Sequence, residues 1–557
     1  MKKKIERLTF ILFIFSIFTT ILYVTFNPQL IQVGKEELIK ISPYFLASNF
    51  ILFIGLLIFT LPEIKKATRK VRRKTWLFLA IILIVGFSLR EFIVPHTHRV
   101  FFDEDLYLGV ANSLATEFRN ILCNYGTPTH CIEGILNKDP SGFPFLASIL
   151  FKLFGPNEEM IFQLSVFFTT LSILFMFLFT YFHFQDESIA LFSALLFSLT
   201  PVHLVWSGSV ATEIYFTFFS LVSLSAMALF IRKQNYILFL LSLSAAAYAA
   251  QIRPEGILFM AIPMLYIFLT HRKIKKLFLS NAFWLSCLFV LLLLFSQLIQ
   301  LSLFKHEDWG APGGRKFGLD YFKQNLEDNI MFWFQGKMHP ISFSALCVLG
   351  AIFLFRKDKK MLFFLLLWFM MYFVLFTSFY AGSVLSGGIG SRYVVMYITP
   401  SIILSAFGLN EIFRIVNKKV AFLILIFILI SLYPTLPFIT TADKQAQYVR
   451  EMHDFVMSKM DEIDSHCWVL THNPSIFLVA GKNSLQTWFG SNKKVMESIF
   501  NESDCIMWLE GAWCLFEPHK SNVCKYMHDN YKLEVFARLV REENPEQVFT
   551  LYKVYRK

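Results

Sequence analysis

Charge is scarce in this chain. Lys, Arg, Asp and Glu make up 17% of the 557 residues, against about a quarter in ordinary soluble domains. Hydrophobic residues take 55%, mean hydropathy is +0.54, and that balance excludes a soluble protein of this size. The first apolar stretch, Leu8 to Phe26, lacks a small-residue cleavage site, so it reads as a span and not as a removable leader. Acids are fewer than bases, for a net charge of +12, but the bases sit in short clusters between apolar runs. No basic stripe of the kind that tracks nucleic-acid phosphates is present. Internal repeats are also missing, which counts against a transporter built from matched halves.

What the chain does have is long apolar runs, rich in the 66 Phe residues that suit lipid-facing and helix-packing surfaces. Runs able to cross a bilayer, at ~20 residues per span, fall near 8–28, 43–62, 75–95, 159–181, 188–205, 212–231, 235–252, 254–270, 278–301, 341–355, 361–380, 394–413 and 420–438. The expected architecture is therefore a polytopic α-helical membrane protein with about 13 transmembrane helices. Basic residues recur in alternate loops: Lys2 to Arg7, Lys65 to Lys74, Arg232-Lys233, Arg272 to Lys276, Arg356 to Lys360, and Arg414 to Lys419. The turn from His183 to Glu187 is the exception. The bias of Lys and Arg toward the cytoplasm puts the N-terminus inside, and an odd number of spans then puts everything past Phe438 outside.

Cysteine placement agrees with this orientation. Cys287 and Cys347 lie within spans; Cys123, Cys131, Cys467, Cys505, Cys514 and Cys524 all fall in segments read as external. An even number in each segment suits disulfide pairing on an oxidising side. The four in the tail allow three connectivities.

Three external segments follow. Loop 96–158 carries an amphipathic helix from Glu104 to Phe118 and a short second helix, Pro144 to Phe154. Segment 302–340 holds the Gly-rich stretch Trp309 to Lys316 and a helix through Asp320 to Asn329. The tail alternates helix and strand signals: a helix over 443–460, strands at Cys467 to Thr471 and Asp504 to Leu509, and a period-two hairpin from Leu533 and Val548. This is the pattern of a small α/β domain. It has no Gly-rich phosphate loop and no metal-ligand spacing.

Polar residues gather at span ends on one side. Asp103-Glu104-Asp105 follows the third span, Glu213 opens the sixth, Arg253-Pro-Glu255 interrupts the run between the seventh and eighth, and Arg392-Tyr393 precedes the twelfth. Each has an ordinary explanation: a helix cap for Asp103 or Glu104, a first-turn acid for Glu213, snorkelling for the arginines. His96 and His98 read as inert interfacial histidines before metal ligands. The coincidence on one membrane face is the stronger signal, because acids beside lipid are costly and usually kept for chemistry.

With these residues in place, the sequence resembles the GT-C glycosyltransferases that use polyprenyl-phosphate sugars, the protein O-mannosyltransferases and lipid A aminoarabinose transferases among them. The carriers are Phe102 to Tyr107, Gly142 to Leu146 with Phe154-Gly155, Thr212-Glu213, Arg253 to Gly256, and Ser391 to Tyr393 with Pro400, spread over about 75–410. The resemblance implies a catalytic domain at 75–438, two added spans at 1–74 and an external domain at 439–557. It makes Asp103, beside Glu104, the base on an acceptor hydroxyl. Glu213 would stand near the donor, and Arg253 and Arg392, with Tyr393, would bind its phosphate. It implies a multi-pass plasma-membrane enzyme whose partners are a dolichyl- or undecaprenyl-phosphate sugar and a protein, glycan or lipid acceptor. No cofactor is assigned, a divalent metal is left open, and no metal ligand is named. The Trp-Trp-Asp-x-Gly signature of oligosaccharyltransferases is missing, which argues against en bloc transfer to asparagine. The competing reading is a transporter or flippase of lipid-linked or small polar substrates. Such proteins hold their charges near the midplane, and here the charges cluster at span ends.

Overall fold

The computed structural model describes residues 28–100, 102–271, 277–304, 311–385, 389–441, 447–511, 514, 518–542 and 544–557. The first expected span, the basic cluster Arg272 to Lys276, Trp309-Gly310 and the Gly387-Gly388 pair lie outside them. The remaining apolar runs all coincide with helices. Among the described residues, seven are long and apolar enough to cross a membrane, or nine if each of two bent pairs is one span; three more, Gly142–Phe154, Tyr236–Ile252 and Gly256–Thr270, are shorter. One of the two breaks has a local cause. Glu187–Ser198 and Pro201–Ser207 meet at 56°, where Pro201 occupies the first helical position and cannot continue the preceding ladder.

The helix Thr212–Lys233 is the hub, buried from Thr212 through Phe230. It lies between Glu158–Phe184 and Tyr236–Ile252. Ring pairs such as Phe168–Phe218 at 4.7 Å and Phe219–Tyr248 at 4.5 Å join these helices. Phe therefore serves packing here as much as lipid contact.

The basic loops meet at one end of the bundle. Arg72 pairs with Glu187 at 2.8 Å, Arg414 with Asp186 at 2.6 Å, and Lys357 with Glu411. The His183 to Glu187 turn, the one loop that broke the basic pattern, thus supplies acids to its neighbours' cations.

At the other end a single mixed sheet forms. Its strands are β1 (Ile121–Thr127), β2 (His130–Leu136), β3 (Trp468–Thr471), β4 (Asn483–Gln486), β5 (Ile506–Glu510), β6 (Tyr531–Val540) and β7 (Val548–Arg556). The order is β2-β1-β4-β3-β5-β7-β6; β3 runs parallel to β4 and β5, and the other pairs are antiparallel. The hairpin β1-β2 comes from the loop after the third span, yet it bonds to the tail through Tyr125↔Leu485 and Gly126↔Ser484. Strands that share a ladder cannot be divided by a bilayer, so loop and tail lie on the same side of the spans. Disulfides join Cys123 to Cys131, Cys467 to Cys505 and Cys514 to Cys524, all within this layer, while Cys287 and Cys347 are free.

Candidate active site

A cavity of about 530 Å³ opens where the helical bundle meets the sheet layer. Four of its walls come from distant parts of the chain, and each is set by local chemistry.

The first is the helix Asp103–Thr116, with three acids in its first turn, where carboxylates favour the exposed N–H groups. Asp103 lines the cavity and its side chain is 38% exposed. Glu104 turns the other way. It is fully buried and accepts the backbone N–H groups of Arg99 at 2.8 Å, Val100 at 3.3 Å and Val210 at 2.9 Å. The structure thus does not bring Glu104 to the cavity with Asp103: its oxygens are engaged in holding the connector 99–100 and the 208–211 turn against the helix start.

The second wall is the turn at Arg253. The helix Tyr236–Ile252 ends there because Pro254 disfavours helical geometry at the residue before it, and Arg253 is extended at φ −139°, ψ 144°. Its guanidinium donates to Glu213 at 2.6 Å and Thr212 at 3.1 Å, and clasps Glu255 through two bonds of 3.0 and 3.2 Å.

The third is the short helix Ser391–Val394. Gly390 is required before it: a Cβ there would lie 2.0 Å from the Ser383 carbonyl. Trp206 donates its indole N–H to Ser391 Oγ at 3.1 Å, which fixes the adjoining Arg392. Arg392 reaches Asp103 at 3.3 Å and the Tyr393 hydroxyl at 3.1 Å, and its Nε lies 3.3 Å from the same Glu213 oxygen that Arg253 uses. Tyr393 stacks on Phe376 with ring centroids 4.6 Å apart.

Glu213 is therefore the residue on which both arginines converge. It is buried behind them and does not line the cavity. Asp103, Arg253, Arg392 and Tyr393 do.

Two contributions escaped the sequence reading. Lys138 and Asp139, in the turn before Gly142–Phe154, enter the same cavity. That turn is seated against the Arg253 wall. A Cβ on Gly142 would meet the Gln251 carbonyl at 2.5 Å, and Tyr248 donates to the Gly142 carbonyl at 3.0 Å. Burial, and then the charge of Asp103, push the Asp139 carboxyl up to about 6. The signal available was a polar Lys-Asp-Pro turn wedged before an apolar helix. The fourth wall is the helix Leu319–Met331, which brings in Asn325 and Asp328. Asn325 donates to the carbonyls of Thr377 at 3.0 Å and Phe379 at 2.8 Å, and Ser383 donates to Asp328.

The arrangement can grip an anion between two guanidiniums and present one solvent-reachable carboxylate beside it. Among the described residues, two groups converge closely enough to hold a metal ion: His98, Glu158 and His453, and Asp464, His466 and Cys467, both outside the cavity.

The sequence model of the dolichyl-phosphate-mannose-protein mannosyltransferase family matches residues 138–299. That segment contains Asp139, Glu213 and Arg253. No curated protein matches the chain. Among solved structures, ArnT from Cupriavidus metallidurans bound to undecaprenyl phosphate aligns at TM-score 0.57 and 13% identity, over 86% of this chain and 98% of that one. AglB, the archaeal oligosaccharyltransferase from Archaeoglobus fulgidus, in complex with an inhibitory peptide and a dolichol-phosphate, aligns at TM-score 0.50 and 13% identity, over 86% and 74%. The fold is that of the GT-C glycosyltransferases, as the sequence resemblance implied.

Proposed function

We propose that this GT-C chain transfers a sugar from a polyprenyl phosphate to a hydroxyl acceptor, with Asp103 as the base. The observation that carries the reading is the cavity itself. Asp103, the most exposed of the acids paired there with arginine, faces two guanidiniums held by a shared buried carboxylate.

The acceptor oxygen attacks the anomeric carbon as the bond from that carbon to the phosphate oxygen breaks. The electron pair leaves with the polyprenyl phosphate, and the hydroxyl proton passes to Asp103. A single displacement inverts the anomeric centre. Arg392 and Arg253 line the cavity, and their positive charge stabilises the negative charge that grows on the phosphate oxygens. Glu213 positions both guanidiniums; Tyr393 supports Arg392 through its hydroxyl. The leaving phosphate is a stable anion, so no step here is routed through a metal.

Two neighbours of this fold were solved with undecaprenyl phosphate and dolichol-phosphate, and a lipid phosphate of that class is the donor we assign. The sequence orientation supports an external active face: N-terminus cytoplasmic, thirteen spans counting the one outside the described residues, and a tail from 439 on the far side. The same-side bonding of β1 to β4 supports it too, as do disulfides in both segments. We take 1–74 as two added spans and 75–438 as the catalytic domain.

The test is to incubate the purified chain with radiolabelled dolichyl- or undecaprenyl-phosphate mannose and glucose and a membrane extract. Labelled product with released polyprenyl phosphate is expected. Asp103→Asn should cut turnover at least ~100-fold while extracting from the membrane normally. Movement of intact donor across vesicles without bond cleavage would establish the transporter reading instead. Near-normal transfer by the variant would remove Asp103 from its role.

A further inference from the structure

Away from the cavity, three segments bring metal-ligating groups together at the junction of the bundle and the sheet layer. His98 lies in the connector between the third span and the acidic helix, Glu158 opens the helix Glu158–Phe184, and His453 sits on Gln447–Lys459 in the tail. One ligand atom from each lies within 4.8 Å of the other two. Both histidines are buried, at 4% and 9% exposure. The His98 Nε2 contacts one Glu158 oxygen, and the His453 Nε2 lies 3.6 Å from the other. The two imidazoles stand with ring centroids 4.4 Å apart.

We propose that His98, Glu158 and His453 bind a divalent transition ion of the zinc type, which ties the tail to the membrane-embedded bundle. Two imidazole nitrogens and a carboxylate oxygen form a common three-residue zinc set, with water as the fourth ligand. Nitrogen donors favour zinc over magnesium or calcium, which take oxygen.

A second observation points the same way. Ligating histidines usually turn their other ring nitrogen to a carboxylate. The Nδ1 of His98 lies 3.1 Å from Glu104 and 3.9 Å from Asp105. Both acids are buried and independently anchored, Glu104 by three backbone N–H groups and Asp105 by Asn473 at 2.8 Å. Three carboxylates thus surround the pair of imidazoles, an excess of negative charge that a dication offsets in large part. An adjoining cavity of about 290 Å³, lined by Glu158, Glu159, His453 and Ser475, supplies an entry path and space for a water ligand.

The site stands apart from the sugar-transfer reading and survives its failure. Through Glu104 the ion would steady the turn that begins with Asp103, so it acts by positioning and not in the reaction.

The full-length chain, purified in detergent, stripped with chelator and then equilibrated with Zn²⁺, tests this by elemental analysis and thermal shift. One zinc per chain and a zinc-dependent rise in Tm are expected. His453→Ala and Glu158→Gln should each lose most of the bound metal and the rise in Tm, while His466→Ala, at the exposed group whose Cys467 is disulfide-bonded, should keep both. Loading wild type with Co²⁺ should give the visible bands of a four-coordinate site, a readout that needs no variant. Wild type that retains no zinc at saturation, lacks those bands, or holds zinc equally well as His453→Ala would overturn the proposal.

Discussion

Asp139 shows how one carboxyl can report on a neighbour. Its ordinary value near 3.8 is pushed up to about 6 by burial and by the charge of Asp103, so ionising it opposes folding. The stability associated with its neutral form is complete below about pH 4 and is lost as pH rises through about 6. Asp139→Asn keeps a neutral, hydrogen-bonding side chain in place. It should raise Tm relative to wild type at pH 7.5 and match wild type near pH 4. A gain independent of pH, measured by thermal unfolding in detergent, would show that the folded chain does not hold the Asp139 carboxyl above its ordinary value. The same reasoning separates the two arginines' partners: Glu213 is screened from solvent behind them, whereas Asp103 is open to solvent.

Among elements, the acidic helix Asp103–Thr116 carries two opposite duties in adjacent residues. Successive helix positions point about 100° apart, so Asp103 and Glu104 cannot share a face. Asp103 meets the cavity, and Glu104 ties together Arg99, Val100 and Val210. Removing a buried carboxylate that satisfies three backbone donors costs on the order of 3 kcal/mol. Glu104→Ala should accordingly lower Tm and the yield of monodisperse protein, as size-exclusion would show, whatever its effect on turnover. A variant with wild-type stability but no transfer would return Glu104 to a chemical role. The arginine walls follow a related logic: Pro254 stops one helix and Gly390 permits a tight approach before another. Both guanidiniums therefore hang from backbone breaks, not from helix interiors.

For the whole molecule, the sheet that joins loop and tail decides how separable the parts are. The tail contacts the bundle through β4 on β1, through Asn473 on Asp105, and through Gln486 on Asn124 at 3.1 Å. Ser475 also packs so tightly on Gly109 that a Cβ there would clash at 2.2 Å. A chain ended at Thr441 exposes the β1 edge and removes the amide partner of Asp105. It should lose transfer and elute as aggregate, instead of leaving a functional membrane core. A truncated chain that stays monodisperse and active would mean the tail is an appended module.

Much was legible in the residues alone. Apolar run lengths produced the helices, because a segment in lipid must satisfy its own backbone bonds. Alternation marked β6 and β7, and the period-two pattern is a local property of each strand. Span-end chemistry marked Asp103, Arg253, Arg392 and Tyr393, since polar groups at such places are costly without a purpose. Only the tertiary structure could decide the rest. Which way Glu104 points, that Glu213 bridges two arginines, that Asp139 joins the cavity, and that β1 pairs with a strand 358 residues later all depend on contacts between segments distant in sequence. Local patterning sets what each segment becomes; long-range closure, whose entropy cost is offset only by the finished packing, sets what each segment meets.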